Sequence, residues 1–332
     1  MIGTRTPFRI SFVGGGSDLR EFYSRAQGSV ISTSIDKYMY IFIHQYFDKK
    51  IQVKYSRTEL VKHADEIKHP IVREAIKRFG LNSVDINSIA DVPSGTGLGS
   101  SSSYTVGLLH ALYAFVNQYV SSEKLAQEAC QLEIDILKEP IGRQDQYAAA
   151  YGGLSLITFY PNETVDVEPI LLPQNTYNEL EGNLLMVFTG RTRNASDILV
   201  DQKKNIVCNK EKFNTLVKMT ELVKEMKKSL IESRLEDIGH ILNEGWHLKK
   251  SISDKISGNV IDELYKTAMK NGALGGKLLG AGGGGFLLLY CEKEHQDKLR
   301  QALGNLRELD FRFESAGSKI IYVGDIQKEN KW

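Results

Sequence analysis

The chain has 332 residues, enough for two domains with substantial cores, and its 42% hydrophobic and 25% charged composition excludes a disordered chain. A formal net charge of +1 supplies no basic field for nucleic acid or an anionic membrane, so recognition of phosphate has to be local. Cys130, Cys208 and Cys291 are odd in number, far apart and without metal-ligand spacing, and they read as reduced thiols. Arg5, Pro7 and Arg9 interrupt the N-terminal apolar stretch, no run approaches bilayer-spanning length, and a cytoplasmic protein is expected.

Residues 10–13 form a short apolar strand running into the tight loop Gly14-Gly15-Gly16-Ser17-Asp18. Taken alone, Arg9 in that strand reads as a solvated edge residue and Asp18 as a cap of the next helix. Residues 30–47 mix β-branched and aromatic side chains and read as strands, with His44 structural. A helix over 71–79 and a strand over 84–86 deliver the chain to Asp91–Thr105. There glycines at 95, 97 and 99 alternate with small or apolar residues. Four serines then open a helix over 104–117, with Val106, Leu109, Leu112 and Val116 at helical spacing. Glycine lets the backbone approach a ligand closely, and the free first-turn N–H groups with the helix dipole favour an anion. Residues 93–102 therefore read as a phosphate loop. The loop lacks the Lys-Ser/Thr pair of a Walker A motif and the third glycine of the dinucleotide fingerprint. The plainer reading is a glycine-rich turn before a buried helix.

A second helix follows, with Ser122 as its N-cap and Leu125, Ala129, Leu132 and Ile136 as an apolar stripe. Glu133 lies about 100° around from Leu132 on an ideal helix, which on spacing alone makes it a surface carboxylate at the stripe's edge. Pro140 and Gly142 end that helix. Asp145 beyond them reads as the cap of a short alanine-rich helix, before a strand over 152–159. The polar stretch Tyr160–Asn183, with Pro161, Pro169 and Pro173, is the candidate junction between two domains, 1–180 and 181–332. A strand over 184–188 ends in Thr189-Gly190-Arg191-Thr192-Arg193, whose arginines either clamp an anion bidentately or face solvent. Residues 197–251 are mostly helical, and His240 and His247 there lack zinc-site spacing. Gly280, Gly282 and Gly285 have the spacing of the dinucleotide fingerprint, but a strand over 286–290 follows where a helix is required. That context disfavours a dehydrogenase, and the glycines instead let the backbone lie close to another segment or to a substrate. A helix over 294–303 and strands near 309–313 and 319–323 complete an α+β second half.

The run Pro-Ser-Gly-Thr-Gly-Leu-Gly-Ser-Ser-Ser at 93–102 resembles the central motif of the GHMP kinases, the family of galactokinase, homoserine kinase, mevalonate kinase and phosphomevalonate kinase. Residues 7–18 resemble the family's N-terminal motif and 277–286 its C-terminal one, so the resemblance spans nearly the whole chain. It implies a two-domain α+β fold, with a ribosomal-S5-like N-terminal domain and a ferredoxin-like C-terminal domain. It implies ATP and Mg²⁺ as cofactors and a small-molecule sugar or sugar phosphate as partner. Matched position by position, it makes Asp145, in a Gly-x-x-Asp context from Gly142, the catalytic base. Arg9 becomes the basic residue near the transferred phosphoryl group. ATP is implied over Pro93, Gly95, Gly97, Leu98 and Gly99 and the serines Ser100, Ser101 and Ser102. Glu133 and Ser101 are implied as Mg²⁺ ligands, with Ser100 the alternative to Ser101. Asp18 and Gly283 are implied as acceptor contacts, and Arg191 and Arg193 are candidates for a substrate phosphate. Gly-Gly stands before Asp18 where galactokinases carry Glu-His, which disfavours galactose. Residues 12–18 and 133–153 are most similar to the heptose-kinase branch, implying a heptose 7-phosphate phosphorylated at its anomeric hydroxyl. The alternatives are a related sugar kinase, such as one for fucose, and a non-catalytic sugar- and ATP-binding sensor, which the presence of Asp145 disfavours.

Overall fold

The computed structural model describes residues 1–192, 195–304 and 306–324. The first half runs β1 (Ile2–Val13), α1 (Arg20–Tyr23), β2 (Gly28–Gln45), β3 (Ile51–Lys54), β4 (Thr58–Val61), α2 (Pro70–Phe79), β5 (Val84–Ala90), α3 (Ser100–Phe115), α4 (Ser122–Cys130), α5 (Gln144–Tyr151), β6 (Leu154–Phe159) and β7 (Val165–Pro169). After α6 (Gln174–Gly182) come β8 (Leu184–Phe188), α7 (Ala195–Cys208), α8 (Lys210–Ile231), α9 (Leu235–Ile252), α10 (Asn259–Lys270), β9 (Ala273–Leu278), β10 (Phe286–Cys291), α11 (Lys293–Ala302), β11 (Phe313–Glu314) and β12 (Lys319–Val323).

Strand β2 organises the larger sheet. Its 18 residues are rich in Val, Ile, Tyr, Phe, Ser and Thr, and they are long enough to serve two neighbours on one side. Residues 28–33 pair antiparallel with β6, and residues 39–45 pair antiparallel with β5. Along its other side β2 pairs with β1 from Ile2 to Val13. Strand β1 also packs against α3, α8 and α9, so helices from both halves of the chain cover it and nearly every one of its side chains is buried. That is why Arg9 is not a solvated edge residue. Strands β8, β10 and β9 form a second, three-stranded antiparallel sheet. Among the described residues, no helix is long and apolar enough to cross a membrane.

The polar stretch 160–183 holds β7 and α6. Two sequence expectations are corrected. The cap of α4 is Ser121, whose hydroxyl accepts from the Lys124 N–H at 3.2 Å, and Ser122 is the first helical residue. The last strands do not complete the second sheet. Instead β11 pairs with β2, opposing Phe313 to Ile35, and β12 pairs with β1. The driving force is aromatic burial: Phe313 packs edge-on against Tyr177 and Phe12, at centroid distances of 5.2 and 6.4 Å. Nothing in a short alternating strand says which of two sheets it joins. Because Phe313 fills the larger core, Phe313→Ala should cost about 3–5 kcal/mol in urea unfolding. A loss under about 1 kcal/mol would mean that this strand is peripheral.

Candidate active site

Arg9 is 3% exposed, and such a cation has to be paired. Its Nε and Nη2 donate to Oδ1 and Oδ2 of Asp145, both at 2.8 Å, in a planar two-point contact. Its Nη1 donates to the Gly97 carbonyl at 2.6 Å, and its backbone N–H to the Leu98 carbonyl at 3.1 Å. One side chain of β1 thus aligns the first turn of α5 with the glycine loop before α3. Gly97 has φ +85°, and a Cβ there would lie 2.5 Å from the Leu279 carbonyl oxygen. The glycine loops around 97 and 280 therefore touch backbone to backbone, which no larger residue permits.

Helix α3 starts at Ser100, with Gly99 as a left-handed N-cap that offers no side-chain oxygen. Its first N–H groups are left for a ligand, as an anion site requires. Two cavities meet there. A cleft of about 320 Å³ between the halves is lined by Arg9, Asp18, Asp145, Lys249 and the loop glycines. A second cavity of about 520 Å³ shares Gly95, Ser100 and Ser101 with it and is walled by Met39, Ile71, Ile89 and Val92. In that second cavity His69 stacks on Tyr104, with centroids 4.9 Å apart and planes at 20°, and Tyr55 meets His69 edge-on at 4.8 Å. His69 Nδ1 and the Tyr104 hydroxyl are buried without a partner among the described residues.

Glu133 is 1% exposed, contrary to the surface position that ideal spacing gives it. The cause is local. After Cys130 the helix widens into a π turn over Gln131–Ile136, with Leu137 N–H bonding to the Leu132 carbonyl. The wider turn rotates Glu133 inward and leaves Ile136, expected on the apolar stripe, 48% exposed. The Glu133 carboxylate accepts from Ser101 Oγ at 2.8 Å, Ser102 Oγ at 2.9 Å and Gln146 Nε2 at 2.7 Å. Burial pushes its pKa up, and those three donors only partly offset this. It has no cationic partner among the described residues, and with Ser101 it offers hard oxygen donors of the kind a divalent ion takes.

Asp18, 3% exposed, accepts from the Gly16 N–H at 2.9 Å and the Gln144 N–H at 3.3 Å. Burial raises its pKa, and the charge of Asp145 adds to the rise. A Cβ on Gly142 would lie 1.9 Å from Asp18 Oδ2, so glycine there is a packing requirement of the carboxylate.

Two lysines that the sequence reading passed over complete the cleft. Lys249 on α9 lines it and donates to the Gly280 carbonyl, while Lys277 on β9 lies beneath, its Nζ 3.3 Å from Ser11 Oγ. Both are buried, and neither makes an ion pair among the described residues. Lys249 had no signal in its helical surroundings. Lys277 had one: it opens the third glycine motif. Arg191 and Gly283 line a separate cavity with Thr189 and residues 257–261, not the cleft. Arg193 lies outside the described residues, and Ala195 and Ser196, shortly after it, line the cleft. Pro93 accepts from Thr96 Oγ1 at 3.0 Å, which closes the turn entering the loop.

Both halves of the chain are similar to known proteins. Residues 59–153 match the model of the GHMP kinases N terminal domain, and residues 226–307 match that of the GHMP kinases C terminal. The chain is 30% identical over 96% of its length, and 98% of the relative, to a D-glycero-alpha-D-manno-heptose 7-phosphate kinase of Campylobacter jejuni. It is 25% identical to a galactokinase of Pyrococcus furiosus, over 94% of both chains. A crystal structure of a D-glycero-D-manno-heptose 1-phosphate kinase from Bacteroides thetaiotaomicron superposes with TM-score 0.78 at 22% identity, over 98% of this chain and all of the other. That last likeness speaks to fold.

The contact between the glycine loops yields a test. Gly97→Ala would force them apart and place alanine at a left-handed φ, so affinity for a nucleoside triphosphate should fall at least tenfold, by about 1.4 kcal/mol or more. Unchanged binding in a fluorescent-nucleotide titration would show that the contact is dispensable.

Proposed function

The chain belongs to the GHMP kinases and is an ATP-dependent kinase, and on that premise we propose that it phosphorylates the anomeric hydroxyl of a heptose 7-phosphate. The observation that carries the reading is the two-point lock of Asp145 by Arg9 beside the glycine loop, in a cleft wide enough for a sugar. The named activity of the Campylobacter relative, matched over its whole length, supports the heptose 7-phosphate.

In this reading the triphosphate crosses the first turn of α3, which joins the two cavities, and the base enters the aromatic one. The sugar lies in the cleft, with one hydroxyl accepted by Asp18. Asp145, oriented by its two-point contact with Arg9, takes the proton of the attacking hydroxyl. The new bond forms between that oxygen and Pγ. The bond from Pγ to the bridging oxygen breaks, and ADP leaves with the electron pair. Little covalent chemistry is asked of the protein, only positioning and charge. Glu133 and Ser101 are the residues that would hold Mg²⁺, which when bound neutralises phosphate charge. Arg193 is the candidate for the acceptor's own phosphate, since the residues that follow it line the cleft. We take the N-terminal domain as 1–180 and the C-terminal domain as 181–332, less the two strands that return to the first sheet.

Turnover of Mg-ATP against heptose 7-phosphate, free heptose, fucose and galactose, followed as ADP release, tests the substrate. Preference for heptose 7-phosphate is expected; preference for a free sugar, or sugar binding without turnover, would reject it. Asp145→Asn should lower kcat by roughly 10²-fold or more with ATP affinity retained, and near-wild-type turnover would remove the base assignment. Glu133→Gln should raise the Mg²⁺ concentration for half-maximal rate several-fold. An unchanged Mg²⁺ titration would leave Glu133 a purely structural carboxylate.

A further inference from the structure

Lys249 and Lys277 come from the second half of the chain; Lys249 lines the reaction cleft, and Lys277 is buried beside Ser11. Desolvated lysines are costly unless an anion meets them. Among the described residues, Asp18 and Asp145 are the carboxylates acting on Lys249 and Asp18 the one acting on Lys277, and Asp145 is already matched by Arg9. Lys249 is 6% exposed and bonds to the carbonyl of Gly280, whose backbone lies against Gly97 of the phosphate loop. One of its three N–H donors is therefore used, and the others remain where the loop, Arg9 and Asp145 converge.

We infer that Lys249 is a catalytic residue of the second half, contacting the phosphoryl group in transit, and that Lys277 is a positioning residue beneath it. The inference rests on the kinase reading above. As the Pγ bond to ADP breaks and the bond to the acceptor oxygen forms, charge spreads over the three remaining phosphoryl oxygens. Arg9 is occupied by Asp145 and Gly97, so among the described residues that line the cleft Lys249 is the cation left to take that charge. The two lysines divide the labour electrostatically. Burial, then the charges of Lys249 and Arg9, hold Lys277 well below the usual lysine range. Burial, then Arg9, pulls Lys249 down to about 8, with Asp18 and Asp145 acting in the opposite direction. The free enzyme thus keeps the Lys249 charge below that pH and loses it above. A bound phosphoryl group restores it by raising the pKa.

The test compares wild type, Lys249→Met and Lys249→Arg. For wild type, kcat/KM should fall on the basic side near pH 8, the value to which Lys249 is drawn down, and kcat should fall at higher pH. Lys249→Met should lower kcat on the order of 10²-fold. It should bind ADP normally but lose the tight complex of ADP, aluminium fluoride and sugar that mimics the moving phosphoryl group. Lys249→Arg should recover part of kcat and lack the basic limb, and it reports even if the methionine variant folds poorly. Wild-type turnover with an unaltered kcat in Lys249→Met, or a basic limb surviving in Lys249→Arg, would overturn the inference. A rise in KM for the phosphorylated sugar alone would overturn it too, assigning Lys249 to the acceptor's phosphate. Absence of turnover in wild type with every sugar would instead overturn the kinase reading itself.

Discussion

The guanidinium of Arg9 is the constraint on which the site depends. It is buried in a strand covered by helices from both halves, and it has acceptors on Asp145 and on Gly97. A buried cation that loses one partner leaves an uncompensated charge, a penalty of about 3–5 kcal/mol, so the three segments move together or not at all. Strand β1 thereby fixes the distance between the first turn of α5 and the glycine loop, the two segments between which the proposed transfer would take place. The loop's other side is held by the second half, through the contact of Gly97 with Leu279 and Gly280.

With a net charge of only +1, phosphate attraction has to come from placement. The protein supplies it in two forms. One is the backbone, as free N–H groups at the start of α3. The other is a small set of buried cations, Arg9, Lys249 and Lys277, surrounded by Asp18, Asp145 and Glu133. Burial works against the charged state of Asp18, Glu133, Lys249 and Lys277. In such a site a bound phosphate would favour the protonated forms of the groups around it.

Much of this was legible in the sequence because glycine leaves a mark. The three glycine motifs lie where backbone meets backbone or carboxylate, and their order gave the family and the fold. Asp145 was legible through the Gly-x-x-Asp context from Gly142, and Arg9 through the first of those motifs. Their spacing said cap and edge residue, and only tertiary packing makes them a pair. The resemblance marked Glu133, but its burial was hidden by an assumption of uniform helical pitch, which the π turn breaks. Lys249 was hidden because one lysine on an amphipathic helix resembles any other until its partners are known. Strands β11 and β12 alternate as strands should, but alternation carries no information about which sheet receives them. Arg191, attractive as an anion clamp after a strand, faces a cavity apart from the cleft.

The central claim is that Arg9 and Asp145 act as one unit, and a double-mutant cycle in kcat measures that directly. Arg9→Met, Asp145→Asn and the double variant should be compared under saturating substrates. If the pair is a single device, the double variant will be no slower than the slower of the two single variants. Losses that multiply, each substitution costing the same with or without the other, would contradict the account.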